Sequence, residues 1–360
     1  MSLIRKRAWL IFLIVIIIVL TLAGTHRLFI EKYYTYGIYP AWSRFLRIFF
    51  GWSPISIGDL FYFLAFVWIV YQVIRYIRAL VLHKIKGRAI LRKLRRTLVV
   101  LLAVYVIFMV FWGMNYSRKG IAYQLQLPKP DYEISDLMNL QKYVLQKVNE
   151  SKSEQLLSGE KPLTDEIIFQ KSVEAYRISE KQFPFLKYRH ASIKSSLYGG
   201  LGNALGFTGY YNPFTGEAQV NTTVPRFLLP SITCHEMAHQ LGYAKENEAN
   251  FVGFIVAQNA ADPVFRYSAY LDIFMYANSQ LRAYDSTMSN AILIQLHPEV
   301  KKDIKTWSQF NLEHQSVFEP FVRWLYGRFL KLNQQPQGIR SYNEVVSMLI
   351  AYYKKNRTIP

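Results

Sequence analysis

Three apolar stretches in the first 115 residues restrict the possible folds of this 360-residue chain more than any other feature. They run from about Ala8 to Ala23, from about Leu60 to Ile77, and from about Leu98 to Trp112 with its flanks. A helix of about 20 apolar residues crosses the hydrocarbon core of a bilayer and satisfies its own backbone hydrogen bonds there. The sequence therefore predicts a membrane anchor of three transmembrane helices over residues 1–115. In the alternative, one stretch is a buried or re-entrant helix, because the third is only moderately long.

Positive charge is concentrated in the same region. Residues 1–120 carry 18 Lys and Arg against only Glu31 and Asp59, whereas residues 121–360 carry 25 basic and 22 acidic residues. Basic residues beside apolar spans orient a protein in the membrane and bind anionic headgroups. We assign the charge excess to these roles rather than to phosphate backbones, and so predict membrane lipids as partners and no nucleic acid.

The basic residues between the stretches predict the orientation in the membrane. The connection from Arg75 to Arg96 contains nine Lys and Arg, whereas the connection from Thr25 to Ser56 contains four. By the positive-inside rule, the N-terminus and the second connection are cytoplasmic, and three spans then place everything after Asn115 outside the cytoplasm. No clean small-x-small cleavage site follows the first stretch and two more spans come after it, which favours a retained anchor over a signal peptide. The expected location is the cell (inner) membrane, multi-pass, and it inverts if one stretch does not cross.

Residues 116–360 have the composition of one mostly helical domain. Helical periodicity is visible in Ile134 to Val148 and in Thr164 to Lys181, and the chain is helical again beyond Asn250. The segment GYYNPFTGEAQVN predicts two short strands joined by a turn. Breaks are expected at Asp262-Pro263, at His297-Pro298 and between Asn333 and Gly338. The predicted fold class is mainly α (α+β), with three N-terminal transmembrane helices followed by a helical domain that contains a small β-hairpin.

The motif HEMAH follows this hairpin and has the spacing of a metal site. Pro230 and Ser231 can start a helix that Gly242 can end. Within that helix His235 and His239 are four residues apart, so both imidazoles lie on one face and can bind one ion. Glu236 is placed to reach a metal-bound water rather than the metal, and we expect it to act as the catalytic general base. Two histidines and one carboxylate favour Zn²⁺ as the cofactor.

The sequence after the motif, QLGYAKENEAN, offers the third ligand that an open zinc site needs. If a new helix begins near Lys245, Glu246 and Asn250 share one face of it. Glu246 is then the predicted metal ligand, and Asn250 is expected to orient one of the ligands without contacting the metal itself. Glu248 is the alternative third ligand, because acidic residues at a helix start also commonly compensate the helix dipole.

HEMAH followed by ENEAN resembles the gluzincin pattern of HExxH followed by ExxxD or ExxAD, although Asn250 stands where those families usually have Asp. The resemblance implies His235 and His239 as ligands, Glu236 as the base and Glu246 as the third ligand. The wider strings PFTGEAQVN, CHEMAHQLGYAKENEANF and LKLNQQPQGIRSY are similar to an uncharacterised family of bacterial membrane-anchored proteins with a gluzincin-like motif, which implies a zinc metallopeptidase. That resemblance covers nearly the whole chain and implies a zincin-like domain over residues 116–360, but no substrate.

Other residues are weaker predictions. A strand edge beside a zinc ion can align an extended peptide, although the hairpin is equally well explained as a structural element. Cys234 is expected to be a small buried side chain, and His297 and His314 to be surface or capping histidines. A side chain that stabilises the developing oxyanion should also exist. The candidates are Tyr267, Tyr270, His190 and Tyr211.

The leading functional hypothesis is an extracytoplasmic zinc metallopeptidase, anchored in the membrane, that cleaves peptide or protein substrates. An intramembrane protease is a weaker alternative, because the apolar run from Ala249 to Ala261 is too short to cross a bilayer. A second alternative is a non-catalytic membrane-bound binding or assembly protein in which the zinc site is structural. The sequence determines neither the cleavage specificity nor the oligomeric state.

Overall fold

A computed structural model describes residues 3–82, 87–128, 132–159, 162–336, 338, 344–356 and 359. The protein is mostly helical and contains a small mixed sheet of three strands. The predicted fold class, mainly α with a small β element after three apolar N-terminal helices, is therefore confirmed.

The three apolar stretches form helices at Leu3–Thr25, Ile57–Val81 and Gly87–Phe111. Their segments Ala8–Thr25, Ile57–Val81 and Ile90–Phe111, called the first, second and third spans below, are long and apolar enough to cross a membrane. Most of their large apolar side chains are exposed on the protein surface, which is the arrangement expected of helices that lipid surrounds. The third helix is longer than predicted, and part of the basic second connection, residues 83–86, lies outside the described residues.

The connection between the first and second spans, residues 26–56, is mostly helical. It comprises a short turn of helix at Arg27–Phe29, a π-helix at Ile30–Ile38 and an α-helix at Tyr39–Gly51. Glu31 in this connection accepts a hydrogen bond from the backbone N–H of Lys119 (2.7 Å), beyond the third span. The division at residue 115 stays a prediction, but this connecting segment packs against the part of the chain that follows it.

The helices after the third span agree with the predicted pattern. Thr164 caps Asp165–Gln182, Asp262 caps Pro263–Tyr284 and His297 caps Pro298–His314, each through its side chain. The break near Asn333 follows a helix end at Leu332, although parts of the stretch LKLNQQPQGIRSY lie outside the described residues. The remaining α-helices are Ile121–Gln124, Ile134–Ser158, Gly199–Leu205, Leu229–Gln240, Glu246–Gln258, Ser286–Ile294, Glu319–Leu332 and Glu344–Asn356, and short 3-10 helices lie at Gly113–Ser117, Pro184–Leu186 and Arg226–Leu228.

The small sheet consists of β1 (Ile193–Ser195), β2 (Gly209–Asn212) and β3 (Glu217–Val220), in the order β1-β3-β2. The predicted hairpin is β2 and β3, which pair in antiparallel fashion. β1 pairs with β3 in parallel and was not predicted, because three residues are too few to show a strand pattern. β2 is consequently an edge strand.

The sheet also holds the start of the second span. The carboxylate of Glu217, which is fully buried on β3, accepts hydrogen bonds from the backbone N–H groups of Ile57 (3.1 Å) and Gly58 (2.5 Å). A carboxylate at this position satisfies free N–H groups of a helix start and interacts favourably with its dipole. Asp59 accepts hydrogen bonds from the backbone N–H of Leu197 (2.7 Å) and from the hydroxyl of Tyr210.

Two helices pack together at the centre of the core. They are Leu229–Gln240, called the HEMAH helix below, and Glu246–Gln258, called the ENEAN helix. A Cβ atom at Gly253 would lie only 3.0 Å from the backbone N of His235, so the absence of a side chain there lets the two backbones approach. This close packing decides which side chains of the two helices can meet.

Candidate metal site

The two helices bring His235, His239 and Glu246 together. The distance from Nε2 of His235 to Oε2 of Glu246 is 3.3 Å, and from Nε2 of His239 to the same oxygen it is 3.6 Å. One ligand atom from each of the three residues lies within 4.8 Å of the other two. In the part of the chain that the structure describes, this is the group of His, Cys, Asp and Glu side chains with the geometry to hold a metal ion.

The turn between the two helices explains how residues seven positions apart come to converge. Gly242 adopts a φ of +87°, a left-handed conformation that ends the HEMAH helix and that glycine accepts without strain. Lys245 is the N-cap of the next helix, as predicted, so Glu246 is its first residue. Nδ1 of His239 lies 2.7 Å from the carbonyl oxygen of Tyr243 in this turn, which orients the ring so that Nε2 faces the cluster.

The electrostatics of the cluster favour a positive charge between the three side chains. Burial opposes ionisation of Glu246, but His239 and His235 outweigh it and hold the pKa of that carboxyl well below its usual range. Burial also lowers the pKa of His239, yet Glu246 outweighs it and raises the pKa to about 9. The carboxylate therefore stays charged and attracts a cation, either a proton on His239 or a metal ion that replaces it.

Zn²⁺ fits this set of donors. Two imidazole nitrogens and one carboxylate oxygen, with room for a fourth group, are the ligands of open zinc sites. Glu246 has further support, because the hydroxyl of Tyr326 donates to its Oε1 (2.6 Å) and its backbone N–H donates to Oε1 of Gln335 (3.1 Å). These contacts fix the orientation of the carboxylate toward the histidines.

Glu236 lies beside the cluster without being part of it. Strand β2 passes directly over its carboxyl group, since a Cβ atom at Gly209 would lie 2.5 Å from Oε1 of Glu236. Oε2 of Glu236 is buried and makes no hydrogen bond to any of the described residues. Burial raises the pKa of Glu236 to about 7, against the opposing effect of His235 and His239. The carboxyl group is thus able to gain and lose a proton near neutral pH.

Glu248, the alternative third ligand, lies on another face of the ENEAN helix. Its carboxylate packs against Gly120, where no side chain has room, and its Oε1 lies 3.4 Å from the ammonium group of Lys245. Asn250 shares the face of Glu246, as expected, and lines the same cleft. It lies beside the hydroxyl of Tyr276, while its own Nδ2 makes no hydrogen bond among the described residues.

The four candidates for oxyanion stabilisation are separated by the structure. The hydroxyl of Tyr267 donates to Asp303 (2.6 Å) and that of Tyr270 to Gln258 (3.1 Å), and neither side chain lines the cleft. His190 is exposed and also lies away from the cleft. Only Tyr211 lines it, with its ring against Trp112 at a centroid distance of 4.6 Å.

Sequence reasoning missed Asp272 and Tyr276, which also line the cleft. They lie four residues apart on the helix Pro263–Tyr284, so both face the cluster from one side. Burial raises the pKa of Asp272 to about 7, although the neighbouring His235 opposes this shift. Burial, with Asp272 and Glu246 nearby, raises the pKa of Tyr276 well above its usual range. An acidic residue in an otherwise apolar helical stretch was the only signal available.

Cys234 is fully buried in the core, as predicted. Burial raises the pKa of its thiol to about 12, and its carbonyl oxygen accepts a hydrogen bond from Tyr176 (2.8 Å). The capping role expected for His297 is confirmed as well, and Nδ1 of His314 lies 2.8 Å from the carbonyl oxygen of Phe310. None of these three residues belongs to the candidate metal cluster, although Cys234 directly precedes His235 in the chain.

The cluster lies in a cleft of about 810 Å³. One wall is strand β2, which lies at one edge of the sheet, with Thr208 before it. The other walls include the ends of two spans and the helix Glu319–Leu332. From these elements the cleft is lined by Tyr62, Phe108, Trp112, Arg323, Tyr326 and Phe329.

Gln240, the residue after the second histidine, ties the HEMAH helix to its surroundings. Its backbone carbonyl accepts hydrogen bonds from Tyr39 (3.1 Å), Ser43 (2.8 Å) and Arg47 (3.3 Å), all from the connection between the first two spans. Its side chain, fully buried, accepts from the hydroxyl of Tyr188 and donates to two backbone carbonyls. The end of the HEMAH helix is therefore fixed by residues from the membrane-anchor region.

Comparison with known proteins gives one family. The family model described as "Protein of unknown function (DUF3810)" matches residues 34–350, which includes the second and third spans, the sheet and the metal cluster. No curated protein and no solved structure matches the chain.

Proposed function

We propose that this chain, which belongs to the DUF3810 family, is a membrane-anchored zinc-dependent metallopeptidase that hydrolyses peptide bonds. The observation that carries the proposal is the convergence of His235, His239 and Glu246 beside a buried carboxyl oxygen of Glu236 that makes no hydrogen bond among the described residues. Three ligands, a separate proton carrier and an adjoining cleft are the minimum that metal-assisted hydrolysis requires.

The chemistry assigns one role to each group. Zinc, when bound, polarises a carbonyl group and lowers the pKa of a water molecule toward neutrality. Glu236 accepts a proton from the attacking water and then donates it to the leaving amine, and its pKa of about 7 suits both steps. Tyr276 stays protonated because its pKa is raised well above the usual range, so its hydroxyl is available to donate to a developing oxyanion. Tyr211 remains a second candidate for that role.

The free edge of β2 is the proposed binding site for the substrate backbone. An extended peptide can add to an exposed strand edge through main-chain hydrogen bonds, and strand β2 lines the cleft beside Glu236. Gly209 has no side chain, so the strand passes close to the carboxyl group of Glu236. The enzyme is therefore expected to take extended segments of peptide or protein rather than folded surfaces.

The site is proposed to lie outside the cytoplasm at the surface of the cell (inner) membrane. The positive-inside rule assigns the connection between the first and second spans and the region after the third span to the same side. The contacts of Tyr39, Ser43 and Arg47 with Gln240 require that these two regions be on one side, which supports three crossings of the membrane, whereas the outward orientation is inferred from the positive-inside rule alone. Because Phe108 and Tyr62 line the cleft, substrates would meet the site close to the bilayer.

The proposal is tested by comparing the wild-type protein with Glu236→Gln, which keeps the shape of the side chain but cannot act as a base. Both proteins are purified in detergent, their zinc content is measured, and a peptide library is offered to each. We expect equal zinc in both and a loss of cleavage in the variant of about 10²- to 10⁴-fold. Equal cleavage by both proteins would contradict the role of Glu236.

A structural zinc site in a non-catalytic protein is the second candidate. The burial of His239 and Glu246 and their position across the HEMAH and ENEAN helices favour it, since a metal there would join the two helices. The two proposals differ in outcome. Cleavage by neither protein, together with unfolding when zinc is removed by a chelator, would support the structural role.

A further inference from the structure

The helix Glu319–Leu332 exposes large apolar side chains on its outer face, which is unfavourable in water. Phe321, Trp324 and Leu325 on its outer side are 61%, 57% and 54% exposed, whereas Val322 and Leu330 face the fold. Large apolar side chains in a continuous exposed patch mark a surface that something covers. We call this helix the aromatic helix below.

The position of the aromatic helix relates it to the membrane. The ring of Phe329 packs against Phe108 in the last turns of the third span, with ring centroids 6.3 Å apart, and against Tyr116 just beyond the span at the same distance. Gln334, directly after the helix, donates to the hydroxyl of Ser117 (2.6 Å). The helix therefore lies at the level where the third span leaves the hydrocarbon core.

The charges of the aromatic helix suit a lipid headgroup region. It contains Arg323, Arg328 and Lys331 but only one acidic residue, Glu319, which pairs with Arg323 at 3.4 Å. The guanidinium carbon of Arg328 lies 5.6 Å from the centre of the Trp324 ring. Tryptophan with neighbouring arginine and lysine is the composition of helices that lie in a membrane interface.

We propose that the aromatic helix lies in the interfacial region of the bilayer. Phe321, Trp324 and Leu325 insert between acyl chains, while Arg328 and Lys331 contact anionic phospholipid headgroups. The helix is then a fourth, non-spanning contact with the membrane. Membrane contact by this helix is separate from the proposed peptidase activity and does not depend on it.

The inner side of the aromatic helix contacts the candidate metal cluster, so the membrane contact on the outer side is linked to that cluster. Tyr326 donates to Oε1 of Glu246 (2.6 Å), and Tyr326 and Phe329 line the cleft. The bilayer that holds the outer face in place therefore also positions a tyrosine that orients a ligand carboxylate. The cleft is expected to open next to the membrane surface for the same reason.

The test measures the depth of the aromatic helix in the bilayer with nitroxide labels. Full-length protein with Phe321→Cys or Leu325→Cys is labelled and reconstituted into bilayers of zwitterionic and anionic phospholipid. Cys234 is fully buried, so the label should not react with it, and the unsubstituted protein checks this. Leu64→Cys, on the exposed side of the second span, and Lys302→Cys, on the helix Pro298–His314, give the reference values for lipid and for water.

We expect both labels to be accessible to oxygen and shielded from a water-soluble nickel complex, at a depth of about 5–10 Å below the headgroups. Accessibility to nickel equal to that at position 302 would overturn the proposal. Protection from both reagents would also overturn it, because the face would then be covered by protein, such as a second copy. Two label positions guard against one variant that fails to fold.

The proposed contact of Arg328 and Lys331 with anionic headgroups is tested by repeating the depth measurement in bilayers of zwitterionic phospholipid alone. We expect shallower labels and greater exposure to nickel there, and the same change in mixed bilayers when Arg328→Gln and Lys331→Gln are introduced. Equal depth in both bilayers would refute the contact with anionic headgroups. Zinc content and peptide cleavage are measured separately, so a failure of the proposed peptidase activity cannot be mistaken for a failure of this proposal.

Discussion

The three membrane spans and the pair formed by the HEMAH and ENEAN helices differ in what covers their side chains. The spans turn most of their apolar side chains outward, where lipid replaces a protein core. The helix pair is covered by protein, and it buries polar groups such as Glu236, His239 and Glu246 that have specific neighbours. A span therefore needs only enough length and apolar character, whereas each position of the helix pair depends on its particular neighbour.

The connection between the first and second spans belongs to both regions. It lies between two helices that need only lipid, yet Tyr39 and Arg47 form hydrogen bonds with the end of the HEMAH helix. Glu217 on the sheet in turn caps the start of the second span. This connection therefore supplies part of the support of the candidate metal site.

The largest expected effect is the difference in unfolding free energy between one substitution in the helix pair and one in a span. Ile255→Ala removes a fully buried side chain of the ENEAN helix and should cost about 2–5 kcal/mol of unfolding free energy. Ile69→Ala in the second span, where the side chain is 52% exposed, leaves no cavity and should change stability by less than about 0.5 kcal/mol. Thermal unfolding of both variants in detergent measures the difference. Equal losses would break the comparison.

The next effect tests the link between the regions. Glu217→Gln removes the charge that accepts hydrogen bonds from Ile57 and Gly58, and we expect a loss of about 1–3 kcal/mol. Glu174→Gln, at an exposed position of the helix Asp165–Gln182, is the matched control and should have little effect. Thermal unfolding is again the measurement. If the two variants were equally stable, the cap on the second span would be unimportant.

A smaller effect is expected on the pH dependence of peptide cleavage, because the helix pair buries an ionisable carboxyl group whereas the spans bury few side chains. Glu236 must be ionised to accept a proton, and its burial raises the pKa to about 7. Cleavage efficiency, kcat/KM, should therefore be full above this pKa and fall by about tenfold for each pH unit below it. A pH profile of peptide cleavage tests this. An efficiency that stayed constant down to the usual pKa of a glutamate would be inconsistent with a buried base.

The smallest effect tests the close approach of the two helices. Gly253→Ala places a methyl group 3.0 Å from the backbone N of His235, and we expect a loss of about 1 kcal/mol although alanine favours helices. Gly200→Ala in the short helix Gly199–Leu205, where nothing lies within 4 Å of the added Cβ, should be neutral or slightly stabilising. Thermal unfolding that ranked the two variants in the opposite order would argue against tight packing.

The sequence predicted features that depend on local pattern. The three apolar helices follow from length and hydropathy, the HEMAH helix from a start at Pro230 and Ser231 and an end at Gly242, and the position of Glu246 from the start of a new helix at Lys245. The choice of Glu246 rested on which residues share a helix face, and the structure brings that residue to the histidines. In each case the information lies within a few turns of one helix.

Features that depend on distant parts of the chain were not predictable. Asp272, Tyr276 and Tyr326 approach the cluster from two later helices, and no periodicity in the sequence indicates where those helices pack. In the sequence, Glu31 and Asp59 were only counted as acidic residues and had no predicted contact. In the structure, both form hydrogen bonds that connect the anchor region to the domain after the third span. Only the tertiary packing determines such contacts.

The central claim, a zinc site built from His235, His239 and Glu246, is tested most directly by metal content. Zinc per protein is measured for the wild type, Glu246→Gln and Glu248→Gln, two equal substitutions at buried residues two positions apart on the ENEAN helix. We predict one zinc ion in the wild type and in Glu248→Gln, and loss of most of it in Glu246→Gln. No zinc in the wild type, or its retention in Glu246→Gln with loss in Glu248→Gln, would contradict the site.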